Sequence, residues 1–161
     1  YAKEQKLKKS PLSVNEVVTE AVKDFTSTLQ DYPLQIEFEE DPRSPICSLA
    51  PLEFELAVFN LLKNAKEALK AQKADEPKLF IKLSSSETHF FVDISDNGAV
   101  ISDSDFERMG SVFKSGKASG LGIGLSIVRS IVQNHNGSLV LERGKNGGLV
   151  CRIRLPIFNA E

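Results

Sequence analysis

The sequence predicts an α/β two-layer sandwich, with helices packed against one sheet of about five strands. Three observations lead there: a long helical pattern over residues 51–72, two β-branched and aromatic runs at 79–83 and 90–94, and closing apolar stretches on either side of a glycine-rich turn at 144–148. At 161 residues the chain is long enough for one well-buried core and short for two.

The elements follow in order. Residues 3–9 are Lys-rich and polar, and the pattern breaks at Ser10-Pro11. Val14, Val17, Val18, Ala21, Val22 and Phe25 then recur at helical spacing, predicting a first amphipathic helix that ends near Asp31-Tyr32-Pro33. Leu34, Ile36 and Phe38 alternate with Gln35, Glu37 and Glu39, the period of a half-buried strand. Prolines 42 and 45 punctuate a loop before a short apolar stretch at 46–49. In the long helix, Pro51 suits the first turn and Glu53 and Glu55 suit the dipole, with Leu52, Leu56, Phe59, Leu62 and Leu69 expected to face the core. Residues 79–83 and 90–94 read as strands joined by a turn at 84–87. Residues 97–119 hold few apolar side chains, which predicts an irregular or partly helical segment of functional length. A buried helix over 124–133 stops at Asn136-Gly137, and a terminal hairpin closes the chain.

Composition excludes several function classes. A formal net charge of −2 gives no bulk attraction to nucleic acid or anionic lipid, and no apolar run approaches the roughly 20 residues of a membrane span. Cys47 and Cys151 stand far apart in hydrophobic contexts without metal-ligand spacing, so a reducing, cytoplasmic setting is expected. With Tyr1 first and no signal peptide, the chain reads as a piece of a longer protein, 1–10 being a linker and 11–161 the domain.

Three features carry chemistry. Asn60 and Asn64 lie one turn apart on an otherwise hydrophobic helix, so two amides share a face. In isolation such a pair more often bonds neighbouring backbone, but an amide oxygen also suits a hard cation such as Mg²⁺. Asp96-Asn97-Gly98 follows a strand directly. It is a hairpin signal by itself, yet a carboxylate there can accept from an adenine amine. Gly120, Gly122 and Gly124 alternate with Leu121, Ile123 and Leu125 as the chain enters a helix, an arrangement that lets backbone N–H groups approach an anion. The spacing is neither the dinucleotide fingerprint nor a Walker motif. Lys117 stands three residues upstream, either as a solvated loop lysine or as a mobile charge over phosphates.

In this order and on these elements, the residues resemble the catalytic ATP-binding domain of two-component sensor histidine kinases. That domain belongs to the superfamily shared with gyrase, the heat-shock chaperone ATPases and the mismatch-repair ATPases. Asn60-Leu61-Leu62-Lys63-Asn64-Ala65 is similar to the family's N box, Asp96-Asn97-Gly98 to its first glycine box, and Phe113 with the residues up to Lys117 to its F box and lid. Residues 120–125 resemble the second glycine box, and Asn134-His135-Asn136-Gly137 the turn after it. The likeness spans about 11–156 and implies a Bergerat-type fold, a mixed five-stranded sheet covered by three helices on one face.

It also implies ATP and Mg²⁺ as ligands, with Asn64 on the metal, Asp96 on the adenine amine and Lys117 on the terminal phosphates. The implied nucleotide set is Asn60, Asn64, Glu67, Asp96, Gly98, Ile101, Lys117, Gly120, Leu121, Gly122, Ile123, Gly124 and Leu125, with catalytic roles for Asn60 and Lys117. Hydrolysing members carry a general-base Glu where this chain has Asn60. An amide cannot take that proton, which favours phosphoryl transfer to an imidazole over hydrolysis. His89 and His135 lack a phosphoacceptor context and read as structural. The implied partners are therefore a separate dimerisation and phosphoacceptor helical domain of the same parent and a response regulator receiver domain. A cytoplasmic domain is expected, with no nucleic acid and no direct membrane contact, in a parent of the kind that includes inner-membrane sensors. Two departures define an alternative: Val100 replaces the first glycine box's second Gly, and Lys66-Glu67-Ala68 replaces a phosphate-contacting pair. That alternative is a degenerate module with weak or no ATP binding and a regulatory role.

Overall fold

A computed structural model describes residues 7–115 and 122–159, with the side chains of 112–115 and 122–124 outside that description. The elements run β1 (Ser10–Ser13), α1 (Val14–Ser27), β2 (Gln35–Glu39), β3 (Ile46–Leu49), α2 (Pro51–Ala71), β4 (Lys78–Ser85), β5 (His89–Asp96), α3 (Asp103–Ser115), α4 (Gly122–Asn134), β6 (Ser138–Arg143) and β7 (Leu149–Pro156). Strands 2, 4, 5, 7 and 6, in that spatial order, form one mixed sheet; β2 runs parallel to β4, and every other neighbouring pair is antiparallel. The parallel pair needs a crossover, and β3 with α2 supplies it.

Sheet alternation decides the core. Leu79, Ile81 and Leu83 of β4, Phe90, Val92 and Ile94 of β5, and Cys151, Ile153 and Leu155 of β7 all turn to one face and are buried. A layer of α1, α2 and α4, with α2 between the other two, covers that face. The expected two-layer sandwich is therefore the observed one, with a fourth helix, α3, in the segment expected to be irregular or partly helical.

Four expectations are corrected. Leu52 and Leu56 were expected to face the core but are 75% and 47% exposed. The buried stripe of α2 is Phe54, Ala57, Val58, Leu61, Leu62 and Leu69, because the helix offers two apolar stripes and contact with the sheet and the flanking helices selects one. Ser10-Pro11 is not a simple break: residues 10–13 pair antiparallel with β3, Ser10 opposite Leu49. Ser84 and Ser85 continue β4 as partners of Phe91 and Phe90, so the hairpin turn is shifted to residues 86–88. The first helix also ends at Ser27, earlier than expected.

The stop after α4 forms as the sequence indicates. Asn136 is left-handed at φ 59°, and the Gly137 N–H donates back to the Val132 carbonyl at 2.9 Å. His135 is a structural residue there: its Nε2 accepts the Ala50 N–H at 3.0 Å and its Nδ1 lies 2.8 Å from the Ile131 carbonyl, joining the end of α4 to the start of α2.

Candidate functional site

α2 runs across the inner face of the sheet, so its Asn64, Ala65, Ala68 and Gln72 stand over the end of β5 and the turn into β7. Together with Asp96, Ile101 and Met109 these side chains line a pocket with a cavity volume of about 70 Å³. Leu61, Ile94, Leu125, Leu149 and Cys151 make the rest of its wall largely apolar.

Asp96 is the last residue of β5 and half-buried at the pocket. Its Oδ1 accepts the Gly98 N–H at 2.8 Å and its Oδ2 the Leu149 N–H at 3.3 Å. Burial pushes its carboxyl above the ordinary range, while those two N–H bonds favour the ionised form. A side chain at 98 would force the site to shift: a Cβ would sit 2.7 Å from Asp96 Oδ1 and 2.8 Å from Gln72 Oε1. The intervening Asn97 turns away and closes the start of β4, accepting the Lys78 N–H and donating to the Glu76 carbonyl.

The loop beyond is clamped. The Ala99 N–H donates to Gln72 Oε1 at 2.8 Å, and its carbonyl accepts the Gly148 N–H at 2.9 Å. Arg143 donates to the Ile101 carbonyl at 3.2 Å, ion-pairs with Asp103 and lies over the Phe106 ring. Val100 projects away, 80% exposed, and is not among the residues with positive φ. A valine there neither fills the pocket nor strains the backbone.

Asn64 lines the pocket, and its Nδ2 is buried without an acceptor among the described residues. An unpaired buried amide donor suits an acceptor oxygen of a polar ligand. Asn60 behaves differently, for its Nδ2 donates to the Leu56 carbonyl one turn back at 2.9 Å, and it does not line the pocket. Glu67 is exposed, 4.0 Å from Lys63. Gly122 and Ile123 open α4 and Gly124 follows in its first turn; Leu125 lines the pocket, so that turn borders it. Lys117, Gly120 and Leu121 lie outside the described residues, as does the side chain of Phe113.

Sequence reasoning missed Gln72, Met109, Gly148 and Cys151. Of these, only the Gly147-Gly148 pair carried a signal. Both residues are left-handed, at φ 118° and 74°, and a Cβ on Gly148 would stand 2.2 Å from the Asp96 carbonyl. Cys151 is no nucleophile, since burial and the neighbouring Asp96 charge push its thiol up to about 12.

Residues 50–159 match the family described as histidine kinase-, DNA gyrase B-, and HSP90-like ATPase. A sensor protein of Thauera aromatica is 26% identical over 151 residues, 92% of this chain and 28% of that protein. A C4-dicarboxylate transport sensor protein of Rhodobacter capsulatus is 27% identical over 157 residues, 98% of this chain and 24% of that protein. This chain thus spans about a quarter of the length of those relatives. Among solved structures, the catalytic domain of histidine kinase ThkA superposes with a TM-score of 0.78 at 23% identity, covering 92% of this chain and 96% of that one. The ATP-binding domain of PrrB from Mycobacterium tuberculosis gives 0.72 at 25% identity, covering 94% and 99%.

Proposed function

This chain belongs to the family of histidine kinase-, DNA gyrase B- and HSP90-like ATPases, and from that premise we propose that it is the ATP-binding half of a sensor histidine kinase. It binds Mg-ATP and passes the γ-phosphoryl group to a histidine on a separate dimerisation and phosphoacceptor domain of the same parent, which in turn serves a response regulator receiver domain. The observation that carries this reading is the half-buried Asp96 carboxylate at an apolar pocket, oriented by two backbone N–H groups.

In this reading Asp96 accepts from the adenine amine while Leu61, Ala65, Ile94 and Met109 receive the ring's faces. The first turn of α4 then borders the phosphates with the N–H groups that open the helix. The residues present fit Mg²⁺: Asn64 lines the pocket and offers an amide oxygen, a ligand such a cation accepts, while its Nδ2 has no acceptor among the described residues. The bound ion supplies charge neutralisation across the phosphates. Lys117 adds a second positive charge there. Asn60 has no basic group with which to deprotonate water, so the nucleophile is an imidazole nitrogen from the acceptor domain. A nitrogen–phosphorus bond forms, the bond to the bridging oxygen breaks, and ADP leaves.

The decisive experiment is calorimetric titration of the chain with Mg-ATP, followed by radiolabel transfer with and without the phosphoacceptor domain of its parent. The expected outcome is ATP binding by the chain alone and label on histidine only after the acceptor is added. No heat of binding at millimolar ATP would replace this reading with the degenerate module, to which the exposed Val100 lends no steric support.

A further inference from the structure

Away from the nucleotide pocket, and sharing no lining residue with it, an open groove separates the start of α1 from the β2–β3 connection. Asn15, Glu16, Thr19 and Glu20 form one wall; Glu40 and Asp41 form the other. Four carboxylates thus line one groove, with no three of them within 4.8 Å of one another, and two of its side chains are buried beyond nine-tenths: Asp41 is 3% and Asn15 7% exposed.

Both carry an oxygen without a donor among the described residues. Asn15 Nδ2 donates to the Asp41 backbone carbonyl at 2.8 Å. A carbonyl only accepts, so the amide orientation is fixed, and Asn15 Oδ1 is left unpartnered. Asp41 Oδ1 accepts the Arg43 N–H at 2.9 Å, whereas Asp41 Oδ2 has no donor. Arg43 does not compensate, because its guanidinium donates to the Ser85 carbonyl. Among the described residues no Lys or Arg lies within 4.0 Å of the Glu16, Glu40 or Asp41 carboxylate, and the ion pair of Glu20 is with the exposed Lys23.

Two buried acceptors on touching residues cost free energy until something positive reaches both. A mixed set of carboxylate and amide oxygens, two of them buried at the floor of the groove and neither of these facing a competing Lys or Arg, is the donor set of a hard divalent ion that tolerates irregular coordination. We propose that this groove binds a Ca²⁺-class divalent cation through Asp41 Oδ2 and Asn15 Oδ1, with Glu16, Glu20 and Glu40 completing the shell through bound water. The bound ion ties the first turn of α1 to the β2–β3 connection, independently of any nucleotide.

The test uses the 161-residue chain, stripped of metal by chelation and free of nucleotide, titrated with CaCl₂ while heat of binding and thermal midpoint are recorded. Expected is a saturable rise in midpoint, as for a ligand bound by the folded state alone. Asp41→Asn should weaken the apparent affinity about tenfold or more, since affinity follows ligand charge. Glu40→Gln, at the exposed rim, gives the same direction of change should Asp41→Asn fail to fold. Glu55→Gln and Asn64→Ala should leave it unchanged; the first tests the neighbouring trio of Glu20, Asp24 and Glu55, whose carboxylates lie within 4.8 Å of one another. The proposal is overturned by no response up to millimolar CaCl₂, the result if buried water satisfies both oxygens. It is equally overturned by a response that survives both groove variants or is lost in Glu55→Gln.

Discussion

Asp96 illustrates how one side chain can be fixed by the fold and still be available to a ligand. Its two oxygens are each engaged by a single backbone N–H, which sets the orientation and leaves acceptor capacity over. Asp96→Asn keeps the size but replaces a charged acceptor that is forced to be an acceptor with an amide of either polarity. A hydrogen bond to a charged group contributes about 1.5–3 kcal/mol, so adenine-nucleotide affinity should fall by about 10- to 150-fold. Unchanged affinity in calorimetry would show that the adenine contact lies elsewhere. His135 carries a different kind of prediction. Burial holds its imidazole below the usual range, so as pH falls the unfolded chain binds that proton before the folded one does. The stabilisation it gives is present above the unfolded value of about 6.5 and is lost as pH falls from there towards the lowered folded value. Glutamine retains an acceptor for the Ala50 N–H without titrating. The wild-type thermal midpoint should therefore drop more steeply than that of His135→Gln between about pH 7.5 and pH 5.5, and parallel curves would count against the assignment.

At the scale of elements, the site is held by the β6–β7 turn as much as by α2. Gly147 and Gly148 lie against the backbone of Gly98 and Asp96 so closely that no Cβ fits, and both are left-handed. Gly148→Ala should cost about 1–3 kcal/mol from backbone strain, and it should also displace Asp96 and lower nucleotide affinity. Melting and calorimetry on one preparation separate the two effects, and a variant as stable and as tight-binding as the wild type would refute the packing role. Gln72 and Arg143 act similarly on the loop after Asp96, from the end of α2 and the end of β6. The elements themselves were legible where their periodicity was unambiguous, as in β4, β5 and β7. The orientation of α2 was not, because Leu52 and Leu56 made a second apolar stripe that sequence alone could not rank against Phe54, Val58 and Leu61. Strand β1 was hidden for a related reason: four residues with two polar ends become a strand only when β3 lies beside them.

For the whole molecule, one continuous core lies between the sheet and the helix layer. Leu62 is fully buried in α2 among that core, and Leu62→Ala should cost about 2–5 kcal/mol through lost transfer energy and a residual cavity. A single cooperative denaturant transition at a lower midpoint is expected, and an undiminished midpoint would mean the two layers do not fold as one unit. The sequence by itself determined the layer architecture, the order of elements and three local signatures: the amides at 60 and 64, the carboxylate at 96 and the glycines entering α4. These are properties of short stretches, set by side-chain periodicity and backbone freedom, and need no knowledge of distant contacts. Only the tertiary structure decided that Gln72, Met109, Gly148 and Cys151 border the same pocket, and that Asn64 Nδ2 is left without an acceptor among the described residues while Asn60 bonds its own helix. Those facts arise from segments up to 87 positions apart in the chain, Asn64 to Cys151, brought together by packing, and no local pattern records which residues will meet.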